Sequence, residues 1–374
     1  MRRRKVLFIF ENSGKSPTFT VRGEIYKDLL HQNHFDVKFH SYRFAQPTSL
    51  DHTENRIVQL LISSLGYKMF LLAICKTLTL IYTFRMLWIC KYFDYIIFIK
   101  VSSFSFIEKV KKRSKAKLIY DQCDALWLPH FSTLFKDIRK ILPIVDSVTW
   151  DYKYTKEFVQ KYNKNIYHWS AASQVELFDK YRDKSRLLID KEKIIIGWIG
   201  SESSAYNLFS IWEALECIFL ENHNLHLRIL GVDTNKSLLP NFENVTYTTL
   251  IDYTQTQMIT EVLKMDIGLF PLFNVEDSKV RGYLKSLIYM SGETAVIASP
   301  IGVVPELIKD GINGMLANST EEWIEKLGQL IHDHVLRQRL AKAGLETVRR
   351  DFSLERSFQD LIKAIDTNNT DDSN

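Results

Sequence analysis

Three basic side chains stand close together in the stretch 277–314, where Lys279 is followed by Arg281 and Lys285. Apolar residues recur around them at the spacing of one helical face, which predicts a short buried helix over 277–288. Residues four apart lie on the same face of a helix, so Arg281 and Lys285 would present two neighbouring positive charges. This arrangement predicts an anion-binding site. The alternative is that these cations are ordinary solvated charges on a helix.

A strand and a second helix follow this helix with little linker. The continuous apolar run 295–298 is closed by Pro300 and Gly302, which predicts a strand covered on both sides. A helix over 305–309 and a turn at 313–314 come next. In open parallel sheets, ligands bind beyond the carboxyl ends of strands, where helix N-termini offer N–H groups to an anion. We therefore expect the anion site at this edge of a sheet.

A loop of small residues lies at the start of the same half of the chain. A predicted strand over 194–199 leads into the loop 200–204 and then into a helix over 206–220. Small residues between a strand and a helix allow a phosphate group to approach backbone N–H groups. Gly200 and Ser201 are therefore candidate phosphate contacts.

The composition bounds the class of protein. The chain has 374 residues, 46% of them hydrophobic and 25% charged, which is ordinary for a globular protein of two domains. The formal net charge of +5 suits an anionic substrate or membrane surface and does not indicate a nucleic-acid partner. The four cysteines have no paired spacing, so we predict no disulfide framework and no metal site, and we expect a reducing, cytoplasmic compartment.

The order of the predicted elements divides the chain. Strands and helices alternate from the N-terminus, which is typical of a doubly wound α/β domain, and a second such cycle follows a polar connection. We predict an N-terminal domain, a C-terminal domain, a C-terminal helix and a disordered tail, over 1–185, 186–352, 353–366 and 367–374.

The least typical segment, 56–93, is dense in aliphatic and aromatic residues but is interrupted by cations, among them Arg85 and Lys91. No uninterrupted apolar stretch approaches the roughly 20 residues needed to span a bilayer. Two interpretations remain open. Its helices pack in the N-terminal core, or a surface of the segment dips into the lipid interface through aromatic residues flanked by cations. The second interpretation would place a cytoplasmic protein in peripheral contact with the inner face of a membrane.

The motifs of 277–314 resemble the donor-binding region of retaining GT-B glycosyltransferases of family 4, the glycosyl transferases group 1. The matching residues are Arg281, Lys285, Tyr289, Met290, Ala298, Ser299, Pro300, Gly302, Glu306, Asn313 and Gly314. The sequence Gly-Trp-Ile-Gly-Ser at 197–201 also matches, and the resemblance is close over 194–352.

The resemblance implies a GT-B fold, in which two Rossmann-like doubly wound domains face a cleft. It also implies a retaining, hexosyltransferase-like enzyme of polysaccharide biosynthesis. Such an enzyme moves a sugar from a nucleotide-sugar donor to a glycan, lipid-linked or other cell-envelope-type acceptor and needs no cofactor. Two alternatives stay open, namely an inactive GT-B homologue that acts as a binding or scaffold subunit, and a sugar-nucleotide epimerase of similar fold.

The sequence departs from the family pattern at three places. The family's pair of glutamates, which reads the donor sugar and the ribose, is replaced by Val280 and Ile288. The Gly-x-Pro that precedes the strand is replaced by a tripeptide that begins with Glu293. Many members also hold an Arg and a Lys just beyond the loop 200–204, and this chain has neither.

The resemblance and the loop chemistry together give a set of site residues. Arg281 and Lys285 would stand in for the missing cations, and Glu306 is the nearest remaining acid in the motif that could accept a sugar or ribose hydroxyl. The alternative for Glu306 is helix capping alone. The expected catalytic residues are Arg281, Lys285 and Glu306, and the expected donor contacts are Gly200, Ser201, Lys279 and Gly302.

In the N-terminal half, a turn with Asp121 and Asp124 follows a predicted strand and resembles the acidic turn that the same branch carries at its cleft. These carboxylates would bind an acceptor hydroxyl or cap the next helix. Arg22, near the first loop, is a candidate on the same analogy alone.

Overall fold

The computed structural model describes residues 2–11, 17–42, 77, 80–128, 136–186, 193–233, 244–248 and 256–366. The chain divides into two compact units, the first formed by 1–151, 155–169 and 360–374, and the second by 152–154 and 170–359. The long segment 170–359 thus begins before the expected boundary at 185. The reason is that the helix Val175–Arg186 packs on the helix Thr256–Val262 of the second unit.

The first unit is built on a parallel sheet of six strands in the order β2-β1-β3-β4-β5-β6. The strands are β1 Arg4–Phe10, β2 Phe35–Ser41, β3 Tyr95–Ile99, β4 Lys117–Gln122, β5 Ser147–Trp150 and β6 Ile166–His168. Strand β1 lies between β2 and β3, so that Val6 pairs with Val37 on one side and with Tyr95 on the other. Its apolar run is buried because helices cover both faces of the sheet.

The helices of this unit follow the strands in alternation. They are α1 Pro17–Arg22, α2 Lys27–Gln32, α3 at 80–89, α4 Phe104–Arg113, α5 Ile138–Ile141 and α6 Lys153–Val159. Helix α3 continues as a 3₁₀ turn over Cys90–Tyr92, and its buried residues Met86, Leu87 and Cys90 pack in the core of the unit. One face of the described stretch 80–92 therefore belongs to the core of the unit. The rest of segment 56–93, before 80, lies outside the described residues except for Thr77.

The second unit also has a parallel sheet of six strands, in the order β12-β11-β10-β7-β8-β9. The strands are β7 Ile194–Ile199, β8 Leu225–Leu230, β9 Val245–Thr248, β10 Ile267–Phe270, β11 Ala295–Ala298 and β12 Met315–Leu316. Alternate side chains of β7 point to opposite faces, so Ile195 joins one hydrophobic cluster and Ile196 the other. The sheet thus has a core on each face, as predicted for a doubly wound domain.

Ten helices that the structure describes belong wholly or partly to this unit. They are α7 Val175–Arg186, α8 Glu202–Ala205, α9 Trp212–Glu221, α10 Thr256–Val262, α11 Glu276–Lys279, α12 Leu284–Ser291, α13 Val304–Leu307, α14 Thr320–His332, α15 His334–Asp351 and α16 Leu354–Ile365. Helix α16 starts in the second unit and ends in the first. The capping serine of α14 behaves as its sequence suggests, because Ser319 Oγ accepts a hydrogen bond from the N–H of Glu322 at 3.3 Å.

The single helix predicted over 277–288 is wrong. The structure has α11, a break, and then α12. Gly282 lies in the break, where a Cβ atom would be 2.0 Å from Tyr152 Oη. The helical path is interrupted over 280–283, and Gly282, which lies in this break beside Tyr152, favours helix poorly. As a result Arg281 lies ahead of α12, and only Lys285 lies on it.

Candidate anion-binding site

The strand order of the second unit reverses between β7 and β10. Strands β8 and β9 extend the sheet on one side of β7, whereas β10, β11 and β12 extend it on the other. In doubly wound sheets the crevice beyond the carboxyl ends of the strands at such a reversal is the usual ligand site. Gly200 directly follows β7, and Phe270 ends β10. The loop that contains Gly200 is therefore placed at the edge of the sheet where a ligand is expected.

Gly200 meets Lys285 at this edge. A Cβ atom on Gly200 would lie 2.5 Å from Lys285 Nζ, 2.6 Å from Ser204 Oγ and 2.3 Å from the ring of Trp198. A larger residue would force these three side-chain ends to shift, so glycine suits the close packing at this position. The fold thus brings together the two predicted anion-binding motifs, the loop after β7 and the cations near α12.

Lys285 is a partly buried cation in aromatic surroundings. Its ammonium lies 4.1 Å from the ring centroid of Trp198 and 6.0 Å from that of Phe270, and it donates a hydrogen bond to Ser204 Oγ at 3.2 Å. Desolvation by burial, and then the positive charge of Arg281, lower the pKa of Lys285 to about 7. Among the side chains that the structure describes, no carboxylate pairs with Lys285.

Arg281 is held by an aromatic side chain that follows the same loop. Its guanidinium carbon lies 6.0 Å from the ring centroid of Tyr206, and Nη2 donates to Tyr206 Oη at 3.3 Å. The Tyr206 ring stacks on Phe273 with 5.9 Å between centroids. The buried Nε of Arg281 has no hydrogen-bond partner in the described part of the chain. This N–H is therefore a buried donor whose hydrogen-bonding capacity is not met by the described residues.

The remaining residues of the loop after β7 have smaller roles. Ser201 is exposed and occupies the N-cap position of α8, but its side chain makes no capping hydrogen bond and instead lies 3.0 Å from Ser203 Oγ. Sequence reasoning did not single out Ser204 or Trp198, which hold the Lys285 ammonium. Their contribution depends on packing across strands, which the sequence pattern does not reveal.

Gly302 and Lys279 also come together, although not through the lysine ammonium. Gly302 has φ +59°, and a Cβ atom there would lie 2.0 Å from the carbonyl oxygen of Lys279. The loop after β11 therefore packs directly on the end of α11. The Lys279 ammonium instead pairs with Glu276 at 3.0 Å, and its side chain is 48% exposed. Lys279 thus contributes backbone to this part of the unit.

Glu306 lies in the first turn of α13, as predicted, and is exposed. Its Oε2 atom accepts a hydrogen bond from the backbone N–H of Lys153 at 3.5 Å. The helix is shorter than predicted, because it ends at Leu307 rather than at Lys309. The Glu306 carboxylate is thus exposed, with one long hydrogen bond to the backbone.

The departures from the family pattern have clear structural correlates. Val280 is buried, and Ile288 is partly buried and packs against a hydrophobic cluster of the second unit, so neither side chain offers a polar contact. Glu293 adopts φ +56°, a left-handed conformation that glycine adopts most easily. An ion pair between Glu293 Oε2 and Arg182 Nη1 at 3.1 Å holds it there.

In the first unit, the two candidate carboxylates are already engaged. Asp121 accepts a hydrogen bond from Thr149 Oγ1 at 2.7 Å and lies 3.6 Å from Arg22 Nε, and Asp124 pairs with Lys100. Arg22 is buried and also pairs with Asp151. Burial disfavours the charged form of Arg22, but the negative charges of Asp121 and Asp151 outweigh the effect of burial. The pKa of Arg22 is therefore raised. Asp121 is therefore part of a buried ion-pair network.

Two kinds of site are absent from the described ranges. No group of three or more His, Cys, Asp or Glu side chains there is placed to hold a metal ion. In the same ranges, no helix is long and apolar enough to cross a membrane.

Comparison with known proteins identifies the class. Residues 193–333 match the family described as Glycosyl transferases group 1. A glycosyltransferase from Rickettsia africae has the same fold over 100% of both chains, with a TM-score of 0.69 and 14% identity. Anabaena Alr3699/HepE, solved with UDP and glucose, covers 97% of this chain and 99% of its own, with a TM-score of 0.66 and 12% identity.

A third solved structure agrees. Sucrose-phosphate synthase from Thermosynechococcus elongatus covers 96% of this chain and 97% of its own, with a TM-score of 0.64 and 13% identity. No curated protein sequence matches the chain. The predicted α/β fold and the predicted resemblance to GT-B glycosyltransferases are confirmed. The chain therefore has the GT-B fold of these structures, and its segment 193–333 carries the sequence pattern of glycosyl transferases group 1.

Proposed function

We propose that this protein is a retaining glycosyltransferase that takes a sugar from a nucleotide-sugar donor and transfers it to a glycan, lipid-linked or other cell-envelope-type acceptor. One observation carries the proposal. The Lys285 ammonium lies beside Gly200 at the carboxyl edge of the second sheet, and no described carboxylate neutralises it. A partly buried cation with a depressed pKa gains most from a ligand that supplies negative charge.

The diphosphate of the donor is the anion that fits this place. Gly200 leaves the backbone open to close approach, and Lys285 supplies a charge-assisted hydrogen bond. Arg281, whose guanidinium contacts Tyr206, would supply further donors. Two solved neighbours are described with UDP or UDP-glucose, which supports a nucleotide-sugar donor of this chemistry.

The same contacts would accelerate the reaction. Negative charge builds on the diphosphate as its bond to the sugar breaks, so a cation placed there stabilises the transition state more than the bound donor. Lys285 and Arg281 are the residues in this position, and the proposal includes no metal ion. Glu306 is the carboxylate we propose to accept a hydroxyl of the sugar or the ribose.

The direct test is release of nucleoside diphosphate from a panel of nucleotide-sugars by the purified protein. Release that requires an acceptor supports the transferase. Release from no donor, together with nucleotide binding, would favour an inactive binding subunit, which the apolar Val280 and Ile288 positions make the main alternative. Conversion of the donor without an acceptor would favour an epimerase. The anomeric configuration of the product tests retention.

We also propose that the protein works in the cytoplasm, in peripheral contact with the inner face of a membrane. The segment 56–93 supplies aromatic residues and cations for this contact, and of this segment the structure describes Thr77 and 80–93. A lipid-linked or cell-envelope acceptor would be met at such a surface.

A further inference from the structure

Helix α3 carries an apolar stripe that faces away from the core. The stripe residues recur every three or four positions and are more than half exposed, at 60% for Ile81, 68% for Phe84, 57% for Trp88 and 53% for Tyr92. The opposite face of the same helix is buried in the core of the first unit. A helix that is apolar on both faces needs a second apolar environment, and a stripe of large exposed side chains marks an interaction surface.

Positive charges flank this stripe. Arg85 and Lys91 are exposed on either side of it. Trp88 and Tyr92 pack edge to face with 4.8 Å between ring centroids, so the aromatic end of the stripe is ordered. Tryptophan and tyrosine with adjacent Lys and Arg are the side chains that prefer the boundary between lipid and water.

A basic pocket adjoins the aromatic end of the stripe. It has a volume of about 520 Å³ and lies at the amino edge of the first sheet, where β3 and β4 begin. Its lining holds five cations, namely Arg2, Lys5, Lys91, Lys115 and Lys117. The two carboxylates of the lining, Asp94 and Asp366, already accept hydrogen bonds, from the backbone N–H of Lys5 and from Arg4. The pocket therefore has an excess of positive charge.

The stripe and the pocket form one surface, because Tyr92 belongs to both and its neighbour Lys91 also lines the pocket. We call Ile81, Phe84, Trp88, Tyr92 and the basic pocket the α3 surface. We propose that the α3 surface docks on an anionic phospholipid bilayer, with the pocket binding a lipid headgroup phosphate and the stripe entering the headgroup boundary. This inference rests on the membrane contact in the proposed function, to which it assigns the residues and the lipid chemistry.

The position of the pocket suits this role. It lies at the amino edge of the first sheet, whereas Glu11 and Lys100 lie at the carboxyl edge. The pocket therefore lies at the sheet edge opposite the carboxyl edge, where ligands bind in sheets of this kind. The candidate donor site lies in the second unit, so lipid binding and nucleotide binding can be measured separately.

The test is co-sedimentation of the full chain with vesicles, at about 0.05 M and about 0.5 M salt. Wild-type protein should bind vesicles of phosphatidylcholine and phosphatidylglycerol in equal parts at low salt, be released at high salt, and not bind pure phosphatidylcholine. Phe84→Ala with Trp88→Ala should lose about tenfold in affinity or more. Lys91→Glu with Lys115→Glu should lose at least as much.

The matched controls lie in the second unit. Lys342→Glu with Arg356→Glu changes the net charge by the same amount at two exposed positions, and Leu220→Ala removes an aliphatic side chain that is 78% exposed. These variants should bind vesicles within about twofold of the wild type. Equal losses in the controls, or no vesicle binding by wild-type protein at low salt, would overturn the proposal.

A second arm separates a lipid from a soluble ligand. Calorimetry with sn-glycerol 3-phosphate asks whether the pocket binds a free phosphate monoester. Binding that Lys91→Glu with Lys115→Glu abolishes, without any vesicle binding, would assign the pocket to a soluble ligand and overturn membrane docking. A thermal shift with nucleoside diphosphates, repeated on all variants, should be unchanged. If the protein binds vesicles but binds no nucleoside diphosphate, the proposed donor site is wrong, and the proposed lipid-binding role of the α3 surface is still supported.

Discussion

The affinity of this protein for nucleoside diphosphate should fall as pH rises through about 7, because Lys285 is the cation that meets the diphosphate. Burial and the charge of Arg281 lower the pKa of Lys285 to about 7 in the free protein. A bound diphosphate would raise this pKa again, since an opposite charge favours the protonated ammonium. The affinity that Lys285 supplies is therefore complete below pH 7 and declines above it, until the pH reaches the pKa of the complex.

The size of the effect follows from these protonation states. An ammonium with a pKa near 7 is about nine-tenths charged at pH 6 and about one-tenth charged at pH 8, so the affinity should fall about tenfold over this range. Replacing Lys285 by Ala removes a charge-assisted contact worth about 1.5 to 3 kcal/mol, hence tenfold or more in affinity at pH 6. Lys285→Ala should bind the nucleoside diphosphate with equal affinity at pH 6 and at pH 8, apart from the change caused by titration of the phosphate itself.

The assay is calorimetry from pH 6 to pH 8.5 with the nucleoside diphosphate that a thermal-shift screen selects. Because the terminal phosphate itself titrates near pH 6, Lys285→Arg is the essential reference, since it keeps its charge throughout. The ratio of wild-type to Arg affinity should fall about tenfold between pH 6 and pH 8. Binding by the wild type in this range should also take up a proton, which the dependence on buffer ionisation enthalpy measures.

Stability provides the control for these variants. Lys285→Met keeps most of the side-chain volume and removes a cation that is costly to bury, so its melting temperature should not fall and is expected to rise. Lys342→Ala, at an exposed position on α15, should change neither stability nor binding. Affinity for nucleoside diphosphate that is unchanged in Lys285→Ala, or independent of pH relative to the Arg variant, would refute the assignment of Lys285.

Three further predictions concern single positions. Gly200→Ala places a Cβ atom 2.5 Å from Lys285 Nζ. Nucleotide affinity should therefore drop tenfold or more in calorimetry, and the free energy of unfolding should fall by about 1–3 kcal/mol. Unchanged affinity would show that the loop does not meet the ligand. Glu293→Gly should be about 1 kcal/mol more stable in urea unfolding than Glu293→Ala. Both variants lose the ion pair with Arg182, but only glycine adopts φ +56° without strain. Equal stabilities of the two variants would argue against backbone strain at Glu293. Glu306→Gln should lower turnover without changing the melting temperature, since its dipole contribution is only about 0.3 to 1 kcal/mol; normal turnover would leave Glu306 as a helix cap.

The buried strands of the second unit could be read from the sequence. The apolar runs of β7 and β11 are continuous because both faces are covered, and each predicted strand appears within a residue of its observed bounds. The start of α14 was equally clear, since Ser319 caps it locally. Such features depend on residues that are neighbours in the chain.

The break between α11 and α12 could not be read in this way. It depends on the approach of Gly282 to Tyr152, a residue far away in the sequence. The aromatic surroundings of Lys285 likewise come from different strands, with Trp198 on β7 and Phe270 on β10. The apolar periodicity of 80–92 also leaves open whether a face is buried or exposed, because both faces of α3 are apolar.

The donor diphosphate should bind between Gly200 and Lys285. An experimental structure of the protein with the nucleoside diphosphate chosen by the thermal-shift screen would show its position directly. In this complex a phosphate oxygen should lie within about 3 Å of Lys285 Nζ, beside the Gly200 backbone and within reach of Arg281. A diphosphate bound elsewhere, with Lys285 Nζ still directed only at Ser204 Oγ, would contradict it.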